Sequence, residues 1–185
     1  ALIALRESQH RIQAMAFIHQ KLYQSLNLSS VEMSAYIHEL VDYLQHSFDT
    51  RLQVTFRLEI QKLSFDLSHA LPLALILNEA ITNSIKYGFP GGKPGIISIT
   101  LQQLHPGHFS LVIADNGIGI APEFNYKDSD TMGMKLIKGL SEDIHGNMEI
   151  QNRDGTTIII SFAYDTSALN DMPVHNTAIT KEKII

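Results

Sequence analysis

From Leu2 to about Leu26 the apolar residues Leu5, Ile12, Met15, Ile18, Leu22 and Leu26 recur at helical spacing, and Pro72 is the sole proline or glycine before residue 88. That period predicts one long amphipathic helix. After "NLSS", where Ser29 and Glu32 have capping-box spacing, Met33, Ile37, Leu40, Val41, Leu44 and Phe48 predict a second helix, so the two form a helical hairpin. The period then shortens to two. Val54, Phe56, Leu58 and Ile60 alternate with polar residues in "QVTFRLEIQ", the pattern of a strand with one buried face.

A helix is expected from about Leu71 to Tyr87, with Pro72 near its first turn and Gly88 just past its end. Strands at 96–104 and 108–114 flank Pro106-Gly107 as a hairpin. A glycine stretch and a polar loop to about Asp130 lead to a helix from about Met132 to His145, and strands at 147–152 and 156–164 flank the turn "RDG". Hairpin-joined strands whose helices can gather on one face predict an α+β fold. Its form is a two-layer α/β sandwich with a mixed, mostly antiparallel sheet, preceded by the helical hairpin. The expected division is residues 1–50 for the helical region, 51–164 for the sandwich and 165–185 for a polar linker or tail.

Composition works mainly by exclusion. The longest apolar run, "ALPLALIL" at 70–77, is far short of the roughly 20 residues that span a bilayer, so no membrane segment is expected. The chain has no cysteine, which removes disulfide frameworks and thiolate metal sites and fits a cytoplasmic setting. Lys and Arg total 14 against 19 Asp and Glu, for a formal charge of -5. With no basic block, nucleic acid is not an expected partner. The start at Ala1, with neither an initiator methionine nor a basic leader, reads as that of an excised fragment.

Three stretches carry candidate chemistry. In "LILNEAITNSIKY", Glu79, Asn83 and either Lys86 or Tyr87 share a stripe beside Leu75, Ile76, Ala80 and Ile81. A carboxylate and an amide oxygen one turn apart suit Mg²⁺ or its waters, with Lys86 in reach of the same anion; the competing reading is the solvated face of a surface helix. In "ADNGIGI" (114–120), Gly117 and Gly119 allow close approach to the backbone, and Asp115, a pure acceptor, suits an exocyclic amino group such as adenine's. A tight turn with an Asx cap is the plainer alternative. In "TMGMKLIKGL" (131–140), Thr131 and Gly133 precede a helix whose free N–H groups can bind phosphate. Neither a phosphate loop ending in Gly-Lys-Ser/Thr nor a Rossmann fingerprint is present.

Taken in order, "NEAITNSIKYGF" (78–89), "DNGIGI" (115–120), "TMGMKLIKGL" (131–140) and "HGNMEIQNRDGTTIIISF" (145–162) closely resemble the ATP-binding domain of sensor histidine kinases. That domain belongs to the superfamily shared with gyrase, a heat-shock chaperone and a mismatch-repair ATPase. The resemblance covers about residues 50–164. It implies that Asn83 is the Mg²⁺ ligand, that Lys86 lies near the phosphates and that Asp115 reads adenine. By the same likeness Gly117 and Gly119 form the first glycine box, Gly133 belongs to the second, and Thr156, after Gly155, supports the adenine end. Glu79 takes the position of a water-activating glutamate in the hydrolytic relatives, as a candidate base or a partner of the magnesium shell. The second box reads "GMKL" where "GLGL" is usual, and the loop from Ala121 to Asp130, with Phe124, is shorter than many lids.

The segment "RESQHRIQAMAFIHQKLYQSL" resembles the second helix of the phosphoacceptor region in the subgroup with a "HHRVKNN"-like box. The acceptor histidine is then expected before Ala1, while His10-Arg11 and His38-Glu39-Leu40 imitate acceptor boxes without completing them. The first helix's apolar stripe is expected to be half of a homodimer interface. The implied activity is transfer of the ATP γ-phosphoryl group, with Mg²⁺, to a histidine and on to an aspartate of a response-regulator receiver domain. An ATP hydrolase using Glu79, and a dimerising interaction module with a degenerate pocket, are the alternatives.

Overall fold

In chain order the elements of the computed structural model are α1 (Leu2–Gln24), β1 (Ser30–Glu32), α2 (Met33–Ser47), β2 (Val54–Ile60), β3 (Ser64–Asp66), α3 (Leu67–Asn83), β4 (Gly95–His105), β5 (His108–Asp115), α4 (Met132–Asp143), β6 (Asn147–Asn152) and β7 (Thr156–Ala163). The structure describes residues 2–24, 30–48, 50, 53–120 and 132–165. Leu26, Ser29, the expected lid loop with Phe124, Thr131 and the tail from Thr166 lie outside the described residues.

The period-two segments pair into one five-stranded sheet of order β2-β4-β5-β7-β6. β2 runs parallel to β4 and the other three pairings are antiparallel, so the sheet is mixed and mostly antiparallel, as expected. Register places Leu58, Ile99, Ile113, Ile158 and Ile150 in one row across all five strands. The next row holds Ile60, Leu101, Leu111, Ile160 and Met148. Most of these side chains are buried, each contributing roughly 1.5–3 kcal/mol. The intervening residues of β4, Ile96, Ser98 and Thr100, are only partly covered. One face of the sheet therefore carries the core and the helices.

α3 lies at the centre of the helical layer and is buried nearly all round from Leu73 to Thr82. It begins earlier than the sequence indicates, because Asp66 caps it and accepts a hydrogen bond from the His69 N–H at 3.2 Å. Pro72 thus sits inside the helix rather than in its first turn. The chain also enters α2 differently: Glu32 is itself the N-cap, accepting from the N–H groups of Ser34 (2.8 Å) and Ala35 (3.1 Å), so it cannot be the third helical residue of a capping box. β1 and β3 form a small antiparallel ribbon that the sequence does not reveal.

α1 and α2 pair as the expected hairpin. Tyr36 is fully buried and donates from Oη to the Ala14 carbonyl at 3.4 Å; burial holds its phenol in the neutral form by pushing its pKa up. The inward side of α1 shares only part of the apolar stripe. His10, Ala14 and Ile18, spaced by four, face inward and Leu22 packs against the core, whereas Leu5, Ile12 and Met15 are exposed. The helix has two apolar faces, and only one of them is covered by α2 and α3.

Candidate nucleotide-binding site

Asp115 stands where a core residue belongs. The inner positions of β5 are Phe109, Leu111, Ile113 and then Asp115, which pairs in register with Ile97, and it is buried. The fold supplies partners for it. Oδ1 accepts from the N–H groups of Gly117 (2.9 Å) and Thr156 (3.2 Å), and Oδ2 accepts from the Ser84 hydroxyl (2.8 Å). A carboxylate offers about four acceptor positions, so three are engaged within the protein and one on Oδ2 is left for a ligand donor.

The loop after β5 is held by backbone. The Ile118 N–H donates to the Gly88 carbonyl at 2.9 Å, and a Cβ on Gly117 would run into that same Gly88 backbone. Gly117 is thus set by close approach of the chain to itself; it stands behind the cavity wall. Gly119 has φ +72° and lines the cavity. Asn152 pins this segment from β6, with its Oδ1 accepting from the Ile120 N–H (2.8 Å) and its Nδ2 donating to the Ile120 carbonyl (2.6 Å). A Cβ on Gly155 would overlap the Asp115 carbonyl.

Gly88 reaches Gly117 because α3 ends in a π turn, Ser84–Gly88, a widened turn frequent at functional sites. The same turn brings Ser84 to Asp115 and Lys86 to the cavity. One turn earlier Glu79 is buried, with Asn78 and Thr82 beside it, whereas Asn83 and Lys86 are partly covered and Tyr87 is exposed, so the stripe meets solvent mainly at its C-terminal end. Gly133, in the first turn of α4, stands directly against it: an added Cβ would lie 3.1 Å from Glu79 Oε2 and 3.5 Å from Asn83 Nδ2.

These groups surround one cavity of about 590 Å³, within the roughly 300–1,000 Å³ range of small-molecule sites. Glu79, Asn83, Lys86, Asp115, Gly119, Gly133 and Thr156 all line it. So do His10 and Arg11 of α1, which the sequence did not place there. Arg11 donates from Nε to Glu79 Oε1 and from Nη2 to Glu79 Oε2, both at 2.8 Å. His10 is stacked on Phe48, with centroids 4.8 Å apart, and shares a 3.2 Å hydrogen bond between Nδ1 and the Tyr43 hydroxyl. His38 is exposed and bonds back to the Ser34 carbonyl of its own helix.

Residues 68–166 match the family described as histidine kinase-, DNA gyrase B-, and HSP90-like ATPase, and residues 1–48 match a family described as histidine kinase. Similar curated proteins include the sensor histidine kinase PdtaS of Mycobacterium tuberculosis strain H37Rv, 22% identical over 165 residues, covering 85% of this chain and 32% of the relative. PdtaS of Mycolicibacterium smegmatis is 21% identical over 164 residues, with the same coverage. The chain therefore spans about a third of the length of these relatives. Among solved structures, the histidine kinase domain of the Erythrobacter litoralis EL346 blue-light activated histidine kinase superposes with a TM-score of 0.77 at 14% identity, over 85% of this chain and 74% of that one. The catalytic domain of histidine kinase ThkA, in a nucleotide-free form, gives 0.60 at 19% identity, over 73% and 94%. Both share this chain's fold.

Proposed function

Because the chain belongs to the family of histidine kinase-, DNA gyrase B- and HSP90-like ATPases, we propose that it is the ATP-binding catalytic part of a sensor histidine kinase, serving transfer of the γ-phosphoryl group to a protein histidine and then to a receiver-domain aspartate. The observation that carries this reading is Asp115: a buried carboxylate in a core row, with three acceptor positions engaged and the fourth available in a ligand-sized cavity. Such a group selects a ligand that donates a hydrogen bond there, and the adenine amino group does so.

Elsewhere in the cavity, Asn83 and the first turn of α4 meet. The donor set fits Mg²⁺, which keeps several waters and needs few protein ligands when phosphates supply the rest. Asn83 would hold the ion through its amide oxygen, since both Glu79 oxygens are engaged by Arg11. Bound Mg²⁺ would neutralise charge on the phosphates. Lys86 and the first N–H groups of α4 would orient the polyphosphate, Thr156 and Gly119 would flank the base, and Gly117 would support them from behind. Phosphoryl transfer needs little more from a protein than positioning and electrostatic stabilisation.

The exposed Leu5, Ile12 and Met15 stripe supports a homodimer contact in the full-length protein, with the acceptor histidine on a helix preceding α1. Among the described residues no helix is long and apolar enough to cross a membrane, and the reading places the reaction in the cytoplasm, where ATP is available. Residues 1–50 then act as part of the phosphoacceptor region and 51–164 as the catalytic domain. The test is calorimetric titration of this chain with ADP and ATP, with and without Mg²⁺, followed by a search for acid-labile phosphate. Saturable binding strengthened by Mg²⁺, without phosphate on the chain, is expected. Failure to bind either nucleotide would refute the reading.

A further inference from the structure

The contact between Arg11 and Glu79 joins residues 68 apart in sequence and sets a cation from the helical hairpin on the one acidic side chain of the α3 stripe. Its geometry is bidentate, both distances being 2.8 Å, and the two side chains are 14% and 8% exposed. Glu79 Oε1 also accepts from Asn78 Nδ2 at 3.1 Å. Gly133 closes in on Oε2, and Met132 Sδ lies 3.7 Å from Arg11 Nη1. Three helices thus converge on this carboxylate, which lines the same cavity as Asn83.

A carboxylate beside a bound γ-phosphate has an obvious alternative use. It can take a proton from water, and general-base assistance of that kind is worth roughly 10²–10⁴ in rate. The balanced step is simple. The water oxygen forms a bond to the γ-phosphorus, the bond from that phosphorus to the ADP oxygen breaks, the water proton passes to a Glu79 oxygen and on to solvent, and ADP and inorganic phosphate leave. The step requires a Glu79 oxygen turned to water. Here the guanidinium fork and Asn78 take three of the carboxylate's roughly four acceptor positions, and Gly133 stands against Oε2, the oxygen that bears the fourth.

Resting on the nucleotide reading above, we infer that Arg11 is a positioning residue that holds the Glu79 carboxylate away from water, so that the γ-phosphoryl group is kept for a protein acceptor instead of being lost to hydrolysis. The hairpin itself then decides between transfer and hydrolysis. When α1 is docked on α3 the base is occupied; an Arg11 drawn elsewhere would free it.

The experiment measures steady-state release of inorganic phosphate from Mg·ATP by this chain, alongside ADP affinity, for the unaltered protein, Arg11→Gln, Arg11→Lys and Arg11→Gln/Glu79→Gln. A rise in turnover of about tenfold or more is expected in Arg11→Gln, with ADP affinity within about threefold of the unaltered chain. Arg11→Lys should rise less, because a single ammonium cannot span both oxygens. The double variant should return to the starting rate. A purely structural role for Arg11 would lower turnover and affinity together. Turnover that does not rise in Arg11→Gln overturns the inference, as does a rise that survives Glu79→Gln. Where Arg11→Gln no longer binds ADP, Arg11→Lys decides alone, and no rise there overturns it. An unaltered chain that binds neither nucleotide removes the nucleotide reading and this inference together, whereas normal binding with unchanged turnover removes only the inference.

Discussion

Replacing Asp115 by Asn changes a single atom of a side chain that is almost wholly enclosed. Two N–H donors, from Gly117 and Thr156, converge on Oδ1, so the new amide must keep its carbonyl oxygen there; turned the other way it would set NH₂ against two donors. The NH₂ group then replaces Oδ2. Within the protein this costs little, because the Ser84 hydroxyl, 2.8 Å away, can rotate from donating to accepting. The change in stability should stay within about 1 kcal/mol. On the adenine reading proposed above the consequence at the ligand is larger, since the acceptor that would face the amino group has become a donor. Losing a hydrogen bond to a charged partner costs about 1.5–3 kcal/mol, or roughly 10- to 150-fold in Kd. Calorimetry with ADP and with inosine diphosphate, which lacks the amino group, separates this from general damage. The unaltered chain should prefer ADP, and Asp115→Asn should lose most of that preference while unfolding at nearly the same temperature. An ADP affinity within about threefold of the starting value, or an undiminished preference over inosine diphosphate, would refute the assignment of Asp115 as the base-reading group.

Other expectations concern the frame. Ile113→Ala, at the centre of the row shared by all five strands, should cost about 2–5 kcal/mol in denaturant unfolding; a loss below 1 kcal/mol would mean that the core row is misassigned. Gly139 lies within α4 with nothing within 4 Å of an added Cβ, so Gly139→Ala should stabilise by roughly 0.5–1 kcal/mol, read as a rise in Tm. Desolvation pushes the Asp66 carboxyl up, but hydrogen bonds from Ser68 and His69 and the charge of His69 outweigh it and hold the group below the usual range. A depressed carboxyl contributes stability above its unfolded value and loses it as pH falls, so the Tm of Asp66→Asn should depend less on pH below about 4 than that of the unaltered chain. Parallel curves for the two proteins would contradict the capping role.

Where period and punctuation agree, the structure follows the sequence closely: β6 and β7 flank their turn as read, and β4 and β5 are within a residue of their expected bounds. β1 and β3 leave no mark in the sequence because three residues establish no period. The orientation of α1 is not legible in the sequence for a different reason. Periodicity reports that an apolar face exists, but α1 has two, and the covered one includes His10 at its edge, with Arg11 beside it. No local pattern distinguishes an arginine on a surface helix from one reaching a glutamate on α3. The cavity residues Asn83, Asp115, Gly119, Gly133 and Thr156 were legible because their motifs are local. Arg11, and the cross-loop bonds of Ser84 and Asn152, exist only once the chain has folded.

Around Asp115 the walls are main chain against main chain: Gly117 against Gly88, and Gly155 against the Asp115 carbonyl. Such a frame separates two kinds of sequence drift. Side chains at the rim can be exchanged without moving the carboxylate, so the range of accepted ligands can diverge among descendants of this gene while the pocket keeps its shape. A side chain at 117 or 155 cannot be absorbed by a rotamer change; the loop must be rebuilt or the pocket lost. In a diverged copy, these two glycines are therefore a better test of whether a pocket still forms than the acidic residue it presents.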